Sequence, residues 1–469
     1  MQKIIQIFSV LMLIAAVFSC GGGGSDPAPV KAKYIDPVDG TPEGDGSLGS
    51  PYKSFLQVVY EPGTSYLIKR GTVLSEQITV DESGTASAPI IIGAYGTGDD
   101  PVIDGSEIIT GWGQAGSIYS VTLSPTASDG CGNVTIDGVI QKFVTTPTPG
   151  NGEYTIDSSG KVQIYGDPAG KTVRLSRRYF GIKGSGVSYI TIKDLHIRQA
   201  SLHGIQFEAL GVDTDLPPDG IVEYYVPSSN ITVQNCSIEM CGGAFISFSP
   251  NPELQAGNGV EFGNSSSNCS VTGCTITEIF DSGVTCQTYD NNQTASDFTF
   301  SNNTILNCGF AGVEIAVLSN GGKTGSSISD VSVNTSTITS CGDGFSGVRY
   351  GNEGRGIKIK ADDGAGTISE VTVEQCSITD SHEGGCFVSG NIDVVEISRC
   401  KFESNGYGVV AYDIQASSSL KLVVQSSLFL SNTVGFGFHV AHGNGFEMYN
   451  NTFIDNTFCG IGVSAHSGM

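Results

Sequence analysis

The chain has 469 residues, of which 64 are glycine and one is tryptophan, and only 15% carry a charged side chain. This composition is foreign to helical bundles and common where short strands meet tight turns. The formal charge of −24, with no basic tract to offset it, excludes nucleic acid as a general partner and admits an acidic polysaccharide only through a local cationic patch.

Residues 1–20 are a targeting segment: Lys3 precedes an apolar run from Ile4 to Phe18, and Val17-Phe18-Ser19-Cys20 follows. This resembles a bacterial lipobox. The resemblance implies export, lipidation of Cys20, and attachment to a bacterial membrane, the outer one, by the lipid anchor alone; the alternative is a secretory signal with an incidental Cys. Residues 21–33 form a flexible tether of Gly, Ser and Pro. No later run is long and apolar enough to span a bilayer. Residues 34–110 are expected to hold an N-terminal cap and the first turns of a solenoid. In them, Pro51 to Tyr60 reads as a short helix closing an end that would otherwise expose strand edges. Residues 111–180, with Trp112, Asp137-Gly138 and Gly166-Asp-Pro, break the period and read as a β-rich excursion.

Residues 181–469 are repetitive. SYITIKDLHI (188–197), SNITVQNCSI (229–238), NCSVTGCTI (268–276), DFTFSNNTI (297–305), DVSVNTSTI (330–338), EVTVEQCSI (370–378), VVEISRCKF (394–402), KLVVQSSLF (421–429) and GFEMYNNTF (445–453) are copies of one unit, the signature of a solenoid. Apolar residues alternate as in a strand, as at Ile190 and Ile192. Parity slips across Lys193-Asp194, where a two-residue corner is expected, and a second strand starts at Gly204, Gly312, Gly356 or Gly435. Stacking places Ile197, Ile238, Ile276, Ile305, Ile338 and Ile378 in one ladder, continued by Phe402, Phe429 and Phe453. Asn405, Asn432 and Asn456 form a second ladder at a bend. Leucine-rich repeats would need a Leu scaffold and a helical segment, and neither is visible.

On these ladders, and on Tyr34-Ile-Asp-Pro, Gly44-Asp-Gly-Ser, Ser50-Pro-Tyr-Lys-Ser-Phe, Pro89-Ile-Ile-Ile-Gly-Ala-Tyr-Gly and Pro101-Val-Ile-Asp-Gly-Ser, residues 34–469 resemble the pectate-lyase-like superfamily. The resemblance implies an all-β, right-handed parallel β-helix, expected to be a monomer. Cys236, Cys274, Cys376 and Cys400 share a column with Ser and Asn, and Cys241, Cys308 and Cys341 share another, so small buried thiols are expected at the corners rather than a zinc site.

Candidate chemistry collects on outward positions of the Gly-started strands. With Ile357 and Ile359 inward, Lys358 and Lys360 point outward, in columns that also hold Gln206, Glu208, Thr285, Gln287, Glu314, Tyr412 and His439. Asp281, Asp343, His382 and Glu383 lie in neighbouring turns, and the insert before Gly356 adds Arg349, Tyr350, Asn352, Glu353 and Arg355. Leu202-His203-Gly204 resembles the Gly-His-Gly of polygalacturonases, but their paired Asp is missing before the equivalent strand.

The resemblance implies a polysaccharide substrate or ligand and, first among activities, a lyase that cleaves a uronic-acid polymer by β-elimination. Lys358, Lys360, Arg349 and Arg355 are its candidate bases or carboxylate clamps. Glu314, Tyr350, Asn352, His382 and Glu383 are candidate substrate contacts. Asp281, Glu314 and Glu353 are candidate ligands for Ca²⁺, which takes oxygen donors. A glycoside hydrolase with two carboxylates and a non-catalytic glycan-binding or adhesin-like surface protein are the alternatives, because this fold hosts unrelated activities.

Overall fold

The alternating apolar residues of the repeats build three parallel sheets wound into one right-handed solenoid. The computed structural model describes residues 31–123, 132–156, 160–212, 224–243, 257–342, 353–414, 420–440 and 445–465; Cys20, Asp343, Arg349, Tyr350 and Asn352 lie outside them. One sheet of thirteen strands runs from Lys31–Ile35 to Gly445–Tyr449, and one of eleven from Val73–Leu74 to Thr452–Ile454. The third, also of eleven, carries the candidate site. Its strands are β1 (Ile78–Val80), β2 (Phe180–Ser185), β3 (His203–Glu208), β4 (Val260–Gly263), β5 (Ser282–Thr288), β6 (Ala311–Val317), β7 (Arg355–Ala361), β8 (Gly384–Gly390), β9 (Tyr407–Ile414), β10 (Val434–Val440) and β11 (Cys459–Ala465).

Corners are made by residues in the left-handed region, where a non-glycine side chain costs on the order of 1–3 kcal/mol unless its surroundings hold it. Asp194, Asn235, Asn302 and Gln375 (φ 52–57°) turn the first corner, and Gly273 does so in one rung. The parity slip at Lys193-Asp194 has this origin. The first-corner column then supplies acceptors to the rung before it: Asn303 Oδ1 accepts from the Cys274 amide at 2.9 Å and Ser427 Oγ from the Cys400 amide at 3.1 Å. At the second corner Asn432 Oδ1 accepts from the amide of Asn405, and Asn456 Oδ1 from that of Asn432.

The aliphatic ladder is in the register that the repeats imply: Ile276 pairs with Ile305 and Ile305 with Ile338, each 0% exposed. Where the ladder becomes aromatic, Phe402, Phe429 and Phe453 stack with centroids 5.2 and 4.6 Å apart. This ladder also dictates the glycine that starts each strand of the third sheet. A Cβ at Gly204, Gly312 or Gly356 would stand 2.7, 2.3 or 2.2 Å from Cγ2 of Ile238, Ile338 or Ile378. Ten of the eleven cysteines in the described residues are buried, and none of the eleven is in a disulfide.

One feature differs from expectation. The expected helix at Pro51 to Tyr60 is a single 3-10 turn, Phe55–Gln57, closed by a Ser54–Gln57 capping box, and it is the one helical segment among the described residues. The segment between Asp104 and Phe180 forms two largely antiparallel sheets with a core of their own around Val134, Tyr154, Ile164 and Leu175. Ile182 of β2 nevertheless pairs directly with Ile78 of β1. The stack is therefore uninterrupted, and the extra sheets lean on its side, where Asn133 Nδ2 donates to the carbonyls of Met240 and Gly242.

Candidate functional site

On the outer face of the third sheet one column reads Lys183, Gln206, Glu261, Thr285, Glu314, Lys358, Phe387, Val410 and Gly437, each in register with the next. Rungs are about 4.8 Å apart, so neighbours in the column touch. Its middle is polar yet enclosed: Glu261, Thr285, Glu314 and Lys358 are all at most 5% exposed.

Lys358 points out of the solenoid as its alternation requires, but it is buried rather than solvated. Its Nζ donates to Glu314 Oε1 at 2.7 Å and lies 4.2 Å from the centre of the Phe310 ring. Glu314 Oε2 accepts from Ser282 Oγ at 2.8 Å, so both oxygens accept hydrogen bonds. Two rungs earlier, Glu261 Oε1 accepts from Gln206 Nε2 and Oε2 from Asn258 Nδ2, at 2.9 and 2.7 Å. His203 Nδ1 accepts from the Asn258 amide, and its Nε2 stands 3.3 Å from Glu261 Oε2. Burial pushes the imidazole pKa down against the pull of Glu261, so the ring is neutral with its proton on Nε2.

Asp281 sits in the turn that leads into Ser282. The residue reaches the surface in part, but its Oδ1 is shut off from solvent and has no hydrogen-bond partner. Burial, and next the charge of Glu314, raise its pKa well above the ordinary aspartate range, although Lys358 pulls it down. Thr285 Oγ1, between Glu261 and Glu314 in the column, is also buried without a partner. A carboxyl group with a raised pKa thus stands beside a carboxylate paired with an ammonium. Two neighbouring polar oxygens there have unused capacity.

Arg355 starts β7. Its guanidinium lies 4.1 Å from the Phe387 ring centre and 5.3 Å from that of Phe310. Nε is 2.7 Å from Glu383 Oε2, an ion pair rather than a well-aligned hydrogen bond, and Nη1 is 3.3 Å from Glu353 Oε2.

The structure therefore brings together Lys358, Glu314 and Asp281, and beside them Arg355, Glu353 and Glu383. It separates Lys360, which occupies the next outward column, is 40% exposed and pairs with Asp362 Oδ1 at 3.0 Å. His382 is exposed in a turn. Lys358, expected as a base or carboxylate clamp, is held 2.7 Å from the buried carboxylate of Glu314 and stands as its charge partner. The proposed Ca²⁺ ligands Asp281, Glu314 and Glu353 do not converge. Among the described residues no three acidic, His or Cys side chains are placed to hold a metal ion; Glu353 faces Arg355, and Lys358 already neutralises Glu314. Glu261 and Asn258 escaped the reading of the repeats. Gly259-Val-Glu-Phe has the same pattern as Gly204-Ile-Gln-Phe and was the signal for them. A larger depression, about 520 Å³, opens at the corner of Gln375, Arg399 and Ser426, but no carboxylate lines it.

The family described as "Right handed beta helix region" matches residues 112–295 and 292–469. The lacto-N-biosidase of family GH136 from Eubacterium ramulus superposes with a TM-score of 0.57 at 14% identity, over 93% of this chain and 67% of that one. Pectate lyase Pel9A gives 0.46 at 14% identity over 90% and 78%. An alginate lyase from Paenibacillus sp. gives 0.39 at 13% identity over 84% and 91%. No curated protein sequence matches.

Proposed function

The chain belongs to the right-handed β-helix family, a fold shared by polysaccharide lyases and glycoside hydrolases, and from that premise we propose that it cleaves glycosidic bonds by acid–base hydrolysis. One observation carries this reading: Asp281, with a raised pKa and an unpartnered Oδ1, beside Glu314, whose charge Lys358 holds in place. Glycoside hydrolysis uses two carboxyl groups, one as acid and one as base or nucleophile.

In the proposed reaction Asp281 gives its proton to the glycosidic oxygen as the bond from that oxygen to the anomeric carbon breaks. Water forms the new bond to that carbon and loses a proton to Glu314. Lys358 pairs with Glu314 in a poorly solvated place. β-Elimination fits less well, because Lys358 and Arg355 are each already paired with a carboxylate. A neutral glycan suits the site better than a uronate: Glu208, Glu261, Asp281 and Glu314 crowd the face, and the whole chain carries −24. The proposed setting is the exported, lipid-anchored one that Cys20 implies.

The test is a screen of neutral glycans, pectate, alginate and glycosaminoglycans for new reducing ends and for unsaturated products. Hydrolysis of a neutral glycan, lost in Asp281→Asn and in Glu314→Gln with circular dichroism unchanged, is expected. Unsaturated products from a uronate polymer would overturn the reading, as would activity that survives Asp281→Asn.

A further inference from the structure

Beyond Lys358 the outward column turns apolar. Phe387 and Val410, 6% and 3% exposed, floor a cavity of about 190 Å³ whose walls are Tyr407, Tyr412 and His439, with Glu383 at its edge. The sequence between the rungs explains its shape. Gly437 is next in the column, and a Cβ there would stand 2.8 and 2.9 Å from Cε1 and Cδ1 of Tyr407, so only glycine lets that ring lie over the sheet. The His439 ring meets Tyr407 and Tyr412 edge-on, with centroids 6.2 and 5.4 Å away. Tyr412 is 43% exposed and stands at the mouth.

The cavity is joined to the acid pair by Arg355. Its guanidinium covers one face of Phe387 and pairs with Glu383, so two residues that line the cavity are held by the cation next to Lys358. From Glu314 to Phe387 is two rungs, about 10 Å along the axis, roughly the length of a disaccharide. An aromatic and aliphatic floor with a polar rim matches a ring that has one face of C–H groups and an edge of hydroxyls. The volume is below the roughly 300 Å³ at which drug-sized sites begin, which suits one sugar ring. Glu383 at the rim disfavours a carboxylated ring there.

We propose that the cavity is a subsite for a single neutral pyranose residue, so that a glycan lies along the solenoid axis with this residue on the C-terminal side of the bond to be cleaved. The inference rests on the hydrolase reading for its direction along the chain, but the pocket can be tested without turnover.

Binding of methyl β-D-galactopyranoside, methyl β-D-glucopyranoside and N-acetylglucosamine, with glucuronate as the charged control, is measured on the full chain by saturation-transfer NMR and calorimetry. At least one neutral sugar binds, glucuronate does not compete, and Tyr412→Ala weakens affinity by about tenfold, the effect of one aromatic contact, with an unchanged melting temperature. Asp281→Asn leaves this binding intact. No binding of any neutral sugar, binding insensitive to Tyr412→Ala, or preference for glucuronate would overturn the subsite. If neutral sugars bind through Tyr412 and no glycan is cleaved, the pocket stands and the hydrolase reading falls. If glycans are cleaved with an unchanged KM in Tyr412→Ala, the pocket falls alone.

Discussion

Lys358 and Glu314 face each other across adjacent strands with 2.7 Å between Nζ and Oε1, and their side chains are only 6% and 7% exposed. A pair on the outside of a solenoid is ordinarily solvated and contributes about 0–1 kcal/mol. This one has left water, and losing one partner strands the other.

Lys358→Met is therefore expected to destabilise the protein by about 3–5 kcal/mol, because Glu314 becomes an uncompensated buried charge. Lys358→Met combined with Glu314→Leu is expected to recover most of the loss. Chemical denaturation of the two variants checks this, and a single variant as stable as the parent would mean that the pair is wet.

Asp281 gives a pH signature. Its folded pKa lies above its unfolded value of about 3.9, so its stabilising contribution is complete below that unfolded value. The contribution is lost as pH rises through the folded one. Asp281→Asn lacks this loss, and its stability relative to the parent is expected to climb from acid to neutral pH and beyond. Parallel stability curves from pH 4 to pH 9 would show that Asp281 titrates normally. Under the proposed hydrolysis, turnover by the parent is expected to fall over the same rise, as the acid loses its proton.

Gly312→Ala drives a methyl group to 2.3 Å from Ile338 Cγ2 and 2.7 Å from the Gly356 carbonyl oxygen. Overpacking of this kind costs about 1–3 kcal/mol, to be read as a lower thermal midpoint. Gly49→Ala, where a Cβ meets nothing within 4 Å, is the matched control and is expected to be neutral. Ile305→Asp, one step along the same ladder, buries an unpaired carboxylate and is expected to yield insoluble protein.

The anchor is tested by fractionation. Cys20→Ala is expected to leave the precursor uncleaved or to release the protein from membranes. Normal processing with unchanged membrane retention would show that Cys20 is incidental.

The architecture was legible because each rung repeats the same physical demand. Ile305 must pack between Ile276 and Ile338, and Gly312 must make room for Ile338, so the requirement recurs at each copy. The site was half legible. Glu314 opposite Lys358 follows from strand parity counted from Gly312 and Gly356. Their burial does not, because the cover comes from Phe310 and from side chains that parity says nothing about. Glu261 was hidden by the long unrepetitive run before Gly259. The partner of Glu353 was hidden for a related reason: it pairs with Arg355 from just outside the strand, where parity does not reach.

The excursion between Asp104 and Phe180 bears on how the molecule assembles. Ile90 finds its partner at Ile190, and Ile78 at Ile182, separations about four times the shortest between later rungs. Closing so long a loop costs roughly 1 kcal/mol more in chain entropy than closing a later rung, and contacts of long sequence separation form slowly. The rungs on either side of the excursion can thus zip from neighbour to neighbour before the two parts join. The N-terminal rungs pair among themselves over short separations, Lys31 with Thr64 and Ser65 with Ile91, and their junction with the main stack is the contact that closes late.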